Sequence, residues 1–180
     1  GAQQRVLQEI IKDLAQPKPM LRLLQGDVGC GKTVVAAFAI VQTVNQGFQA
    51  AIMAPTEILA EQHFQNITQW LEPLGIKVVL LTGKIKGKIR QSTIENIFDG
   101  TVQVIVGTHA IFQEKIKFKH LALIIVDEQH RFGVHQRLQL REKGIKNGQY
   151  PHQLIMTATP IPRTLAMTIY ADLDCSIIDE

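Results

Sequence analysis

Gly26-Asp27-Val28-Gly29-Cys30-Gly31-Lys32-Thr33 decides how the rest of the chain is read. Glycines at Gly26, Gly29 and Gly31 let consecutive backbone N–H groups turn inward, which makes a concave anion site. Lys32 follows with an ammonium that can reach the β- and γ-phosphates of a nucleotide, and Thr33 with a hydroxyl placed to ligate Mg²⁺. Before the loop, Met20-Leu21-Arg22-Leu23-Leu24 predicts a strand; after it, residues 34–44 predict an apolar helix. The alternative is a Gly-rich turn that happens to precede Lys-Thr, but such a turn requires neither flank. Strand, loop and helix together are the setting in which a helix N-terminus holds phosphate.

Outward from the loop the same alternation repeats. A helix over residues 3–14 precedes it, with Val6, Leu7, Ile10, Ile11 and Leu14 at helical spacing and Pro17 and Pro19 ending it. After it come a strand at 49–54 and a helix at 57–71, a strand at 77–81 and a helix at 88–98, then a strand at 102–106 and a short turn near Ala110. Crossovers of this length imply parallel strands. Residues 121–126 form a continuous apolar run, as a strand covered on both faces requires, and 153–156 read the same way. Helices are expected at 134–143 and 162–170, with a surface loop at 144–149. The fold class is α/β: a doubly wound, mostly parallel sheet with helices on both faces, in one domain over residues 1–180.

Composition sets the bounds. With 180 residues, 46% of them hydrophobic and 19% charged, the chain makes one core and no bilayer-spanning run. A net charge of +3 is a mild basic bias, compatible with a polyanionic partner. Cys30 and Cys175 have no disulfide or metal spacing and the six histidines form no ligand cluster, so neither zinc nor an oxidising compartment is expected and a cytoplasmic setting is. The chain starts at Gly1 without a charged–apolar–small leader, and 175–180 read as a strand or its exit; a piece of a longer protein is the expectation.

In an open parallel sheet the chemistry gathers past the carboxyl ends of the strands. Asp127-Glu128-Gln129-His130 leaves the buried strand there: Asp127 can hold Mg²⁺ through its water shell and Glu128 can polarise the water that attacks a γ-phosphate, or the pair simply caps the next helix. Thr157-Ala158-Thr159-Pro160 is either a contact for His130 that transmits the nucleotide state or a tight turn. Ala54-Pro55-Thr56-Glu57 and Gly107-Thr108-His109 offer hydroxyl and backbone donors that suit a nucleic-acid backbone. Lys84, Lys86, Lys88 and Arg90 are either a basic strip beside that track or a solvated charged loop. Lys115, Lys117 and Lys119, alternating with Ile116 and Phe118, read as a protected edge strand.

Together these segments resemble the first motor domain of superfamily 2 helicases, and within them the RecG family of ATP-dependent DNA helicases. The resemblance rests on Gly26 to Thr33, on Ala54-Pro55-Thr56-Glu57-Ile58-Leu59-Ala60, on Asp127-Glu128-Gln129-His130-Arg131-Phe132-Gly133 and on Thr157-Ala158-Thr159-Pro160-Ile161-Pro162-Arg163-Thr164. It covers essentially the whole chain. The transcription-repair coupling translocase, similar in sequence, usually has Glu where this chain has Gln129, so Gln129 favours the RecG family. Cys30 stands where the family commonly carries Ser, a change the loop tolerates because that side chain need not touch phosphate.

The resemblance implies a RecA-like P-loop NTPase fold that uses ATP and Mg²⁺. Gln3 would recognise adenine; Gly26, Asp27, Val28, Gly29, Cys30 and Gly31 would form the cradle; Lys32 and Thr33 would serve phosphates and metal. Asp127 would be the metal-associated acid, Glu128 the base, and His130 with Thr157 and Thr159 the coupling between hydrolysis and movement. Pro55, Thr56, Lys84, Gly107 and Thr108 would lie along DNA. It further implies branched DNA as partner, in stalled forks and Holliday junctions, in bacterial recombination and repair beside the chromosome. A second motor domain supplying an arginine finger and a wedge domain would belong to the same full-length chain. Two readings from other classes are weaker: a nucleotide-gated interaction module lacks an Asn-Lys-x-Asp guanine stretch, and a DNA-binding module with a vestigial nucleotide site does not explain a complete loop and acidic pair.

Overall fold

The computed structural model describes residues 1–15, 21–26, 31–112, 115–127, 151–157 and 174–178. In chain order these carry α1 (Ala2–Leu14), β1 (Leu21–Gly26), α2 (Lys32–Asn45), β2 (Gln49–Met53), α3 (Glu57–Leu71), β3 (Val78–Leu81), α4 (Gly87–Asp99), β4 (Val104–Gly107), β5 (Leu121–Asp127), β6 (His152–Thr157) and β7 (Asp174–Ile178), with 3-10 turns at Glu72–Leu74 and His109–Phe112. The described strands form one sheet in the order β3-β4-β2-β5-β6-β1-β7. Each described pairing is parallel.

A parallel sheet covered on both faces needs strands that are apolar throughout, and β2 and β4 are buried at every position. Successive side chains go to opposite faces. Leu24, Ile52, Val106, Ile125 and Met156 join one core with α1, α2 and α3, while Leu23, Met53, Ile105, Val126 and Ile155 join the other with Ile97 of α4. The helices divide this way because crossovers are right-handed. From β1 through β2 to β3 the chain moves one way along the sheet and its helices fall on the first face; from β3 to β4 it reverses, so α4 falls on the second.

Buried polar groups hold the amino-terminal edge. Gln49 Nε2 donates to the carbonyls of Ile97 at 2.9 Å and Val102 at 2.8 Å, and its Oε1 accepts from His120 N at 3.0 Å. One amide thus ties the end of α4 and the approaches to β4 and β5 to β2, with none of its bonding groups wasted. Arg22 of β1 donates to Asp13 Oδ2 at 2.6 Å and Glu9 Oε2 at 3.3 Å, fastening α1 to the sheet.

The strand–helix alternation follows the sequence closely, with one correction. Lys115, Lys117 and Lys119 are not on an edge strand: residues 115–120 form none, and the sheet edge nearby is β3. Ile116 is buried in the second core and Phe118 packs against it, so an extended loop lying over a core produces the same in–out period as a strand. The helices expected at 134–143 and 162–170 and the loop at 144–149 lie outside the described residues.

Candidate functional site

All seven described strands point the same way, so their carboxyl ends share one rim. Register sets the levels on it. Leu24 of β1 and Asp127 of β5 both pair with Met156 of β6, and Gln25 pairs with Thr157. Asp127 therefore stands two strands from β1, roughly 10 Å away at the usual strand spacing. By alternation from Leu123 and Ile125 it projects to the face that carries α1, α2 and α3.

The loop end of β1 meets that face. Gly31 adopts φ 90°, ψ 19°, the left-handed region that glycine alone enters without strain, and is the N-cap of α2. Among the described residues no side chain caps α2, and its first turn holds no acid, so the positive end of the helix dipole suits an anion. Lys32 Nζ donates to the carbonyl of Gly26, which turns the ammonium back to the end of β1. A Cβ built on Gly31 would overlap the Gln3 carboxamide, which puts the expected adenine-reading residue against the end of the loop. Thr33 opens α2 beside Lys32. Asp27, Val28, Gly29, Cys30, Glu128, His130 and Thr159 lie outside the described residues.

These groups suit a magnesium nucleotide. Thr33 brings a hydroxyl and Lys32 an ammonium to the start of α2, and Asp127 a carboxylate two strands away; the first and last are hard oxygen ligands, and the ammonium and helix start are donors to anions. Among the described residues no cluster of three His, Cys, Asp or Glu side chains can hold a metal alone. Mg²⁺ characteristically takes one or two protein oxygens and completes its shell with phosphate and water.

Asp127 has a partner that sequence reading missed. His63 Nε2 lies 2.6 Å from Asp127 Oδ2, both side chains nearly buried. The signal was present: Ala60, His63, Ile67 and Leu71 form the buried stripe of α3, and His63 is its polar member. Which strand end it would meet depends on strand order, which periodicity does not carry. Thr157 is buried at the end of β6.

The remaining candidates collect at the ends of β2, β3 and β4. Thr56 caps α3, its hydroxyl accepting from Leu59 N at 3.2 Å, and Ala54 N donates to the Gly107 carbonyl at 2.9 Å. Lys84 lies 3.5 Å from Glu57 in the first turn of α3 and is two-thirds exposed. Arg90 Nη1 donates to the carbonyls of Thr82 and Ile85, each at 3.3 Å, and so holds the loop that carries Lys84. Pro55, Thr56, Lys84, Gly107 and Thr108 are thereby brought to one part of the rim. Thr108 is nevertheless buried at 3% exposure, and a Cβ on Gly107 would strike the Leu81 carbonyl. Their side of the rim offers Lys84 and the start of α3 to solvent rather than the Thr108 hydroxyl.

Comparison with known proteins identifies the family and the fold. The family model for DEAD/DEAH box helicases matches residues 2–168. ATP-dependent DNA helicase RecG of Haemophilus influenzae is 65% identical over the whole chain, and RecG of Escherichia coli K12 is 64% identical, the chain covering 26% of each. A solved structure of RecG bound to a three-way DNA junction superposes with a TM-score of 0.84 at 43% identity, over 98% of this chain and 23% of that one. The DUF1998 helicase MrfA, at 20% identity and a TM-score of 0.78 over 100% of this chain and 30% of that one, shares the fold. The chain thus spans about a quarter of the length of the curated relatives it matches. A family model that matches residues 2–168, nearly the whole chain, makes this chain a member of the DEAD/DEAH box helicase family.

Proposed function

We propose that this chain is the ATP-binding motor lobe of a RecG-type DNA helicase, which couples ATP hydrolysis to the remodelling of branched DNA. The observation that carries it is the division of one rim into two neighbouring parts. Gly31, Lys32 and Asp127 serve β1 and β5, while Thr56, Lys84 and Gly107 serve β2, β3 and β4. β2 and β5 are adjacent, so nucleotide and nucleic acid would sit on either side of a single strand boundary.

In this reading Lys32 binds the β- and γ-phosphates, Thr33 and Asp127 hold Mg²⁺, and Gln3 selects adenine. The metal, when bound, neutralises charge on the phosphates. Glu128 acts as general base, and His130, Thr157 and Thr159 relay the nucleotide state. Branched DNA, by analogy with the RecG–junction complex, and a second motor lobe and wedge from the same polypeptide are the partners, in the bacterial cytoplasm. No helix among the described residues is long and apolar enough to cross a membrane. Gln129 supports this reading over a transcription-repair coupling translocase.

Calorimetry tests the nucleotide half: Lys32→Ala is expected to abolish Mg-ATP binding, and unchanged binding would remove the site. For the DNA half, Lys84→Glu in the full-length protein is expected to weaken forked-DNA binding severalfold and to lower the salt dependence by about one phosphate contact. An unaltered salt slope would take Lys84 off the track.

A further inference from the structure

We infer that His63 is a positioning residue for Asp127, and that through it α3 ties the magnesium–nucleotide site to the nucleic-acid track. This rests on the proposed function, and adds to it a residue and a route.

His63 lies on an otherwise apolar stripe of α3, where an imidazole is costly unless its polar atoms are bonded. Its partner is Asp127 Oδ2 at 2.6 Å, the last residue of a strand that is otherwise apolar. A carboxylate only accepts, so Nε2 carries the hydrogen and the ring is the donor. One of the two carboxylate oxygens is thereby fixed, which sets the direction in which the other faces. Partners of this kind, one bond removed from a metal-associated group, commonly change metal affinity 10- to 100-fold.

The same helix begins in the track. Thr56 caps it, Glu57 in its first turn pairs with Lys84, and the residue two before the cap, Ala54, is bonded to Gly107. His63 is the seventh residue after the cap, about 10 Å along a helix. Ile67 and Leu71 bury the rest of α3 in the core of that face, and one continuous helix joins its start to His63. A strand that shifts the start of α3 must shift the donor on Asp127.

The test uses the full-length protein and three variants. His63→Leu keeps bulk without a donor; His63→Gln keeps a donor at similar reach; His63→Asn is polar but too short to reach Oδ2. Binding of a fluorescent ATP analogue is titrated against Mg²⁺, with and without forked DNA, alongside thermal melting and binding of the analogue in EDTA. For His63→Leu and His63→Asn the Mg²⁺ concentration for half-maximal binding is expected to rise about tenfold, with EDTA binding unchanged and the DNA-induced tightening lost. His63→Gln is expected to restore most of both. Should His63→Leu fail to fold, the Gln and Asn pair decides alone. Wild-type Mg²⁺ dependence and DNA response in His63→Asn, or equal impairment of Gln and Asn, would overturn the inference. Lys32→Ala run in parallel separates the two claims: if it still binds Mg-ATP the nucleotide site itself is wrong, whereas loss there with a normal His63→Asn removes only the role of His63.

Discussion

At the scale of single residues, two glycines are required for different reasons. Gly31 needs the left-handed region, where another residue pays roughly 1–2 kcal/mol, and a Cβ there also displaces the Gln3 amide. Gly31→Ala is therefore expected to weaken Mg-ATP binding at least tenfold, and Gln3→Ala in the same chain to relieve the steric part while the backbone strain remains. Calorimetry of the single and double variants checks this; a double variant no better than the single would mean that Gln3 is not packed on the loop. Gly107 has an ordinary backbone, but a Cβ would meet the Leu81 carbonyl, and Gly107→Ala should cost about 1–3 kcal/mol in denaturant unfolding. The sequence marks Gly107 only as a strand end next to a threonine. That it is small because β3 approaches it is a fact about strand order, invisible along the chain.

Elements were far more legible than their neighbours. Apolar periods locate α1 to α4 and the described strands to within a residue or two, because a sheet buried on both faces leaves no other pattern open. The misreading at Lys115 to Lys119 has the same origin, a period of two imposed by anchoring residues rather than by a ladder. Arg22 was equally hidden as one cation in the strand that leads into the loop. It is buried beneath α1, where removing it would take away the guanidinium that pairs with Asp13 and Glu9. A buried pair broken on one side typically costs about 3–5 kcal/mol, and because Glu9 and Asp13 are partly exposed we expect about 2 kcal/mol for Arg22→Ala in denaturant unfolding. The same seam responds to pH. Burial at the start of β6 holds the His152 imidazole below its ordinary 6.5, against the opposing pull of Asp13 and the Leu14 carbonyl. Below pH 6.5 the unfolded chain therefore binds a proton that the folded chain resists. Stability is full above that value and is lost as pH falls through the depressed one. His152→Gln should flatten this slope below pH 6.5, and an unchanged slope would assign the acid sensitivity to other groups.

For the whole molecule, the question is how much of a motor one lobe contains. In the proposed reading the rim supplies phosphate donors, a metal-associated acid and the start of a nucleic-acid track, each expected from a motif because phosphate chemistry demands fixed residue types at fixed spacing. Register puts Leu24 and Asp127 level on either side of Met156, a placement that depends on strand order and that the motifs do not carry. Arg22 and Arg90 are committed elsewhere, the first to carboxylates of α1 and the second to loop carbonyls, so neither is placed to neutralise a developing charge on a γ-phosphate. The matched relatives are about four times longer, which leaves ample chain for a second lobe to bring an arginine to this rim. Such a residue typically contributes about 10³ to 10⁵ in rate. The 180-residue chain is accordingly expected to bind Mg-ATP through Lys32 yet hydrolyse it about 10³-fold or more slowly than the full-length protein, with forked DNA giving little stimulation. Steady-state ATPase assays of the two, each shown folded by circular dichroism, measure the difference directly. A turnover within tenfold of the full-length protein would mean that this lobe carries a complete active site, and the catalytic cation would then have to be sought among its own residues.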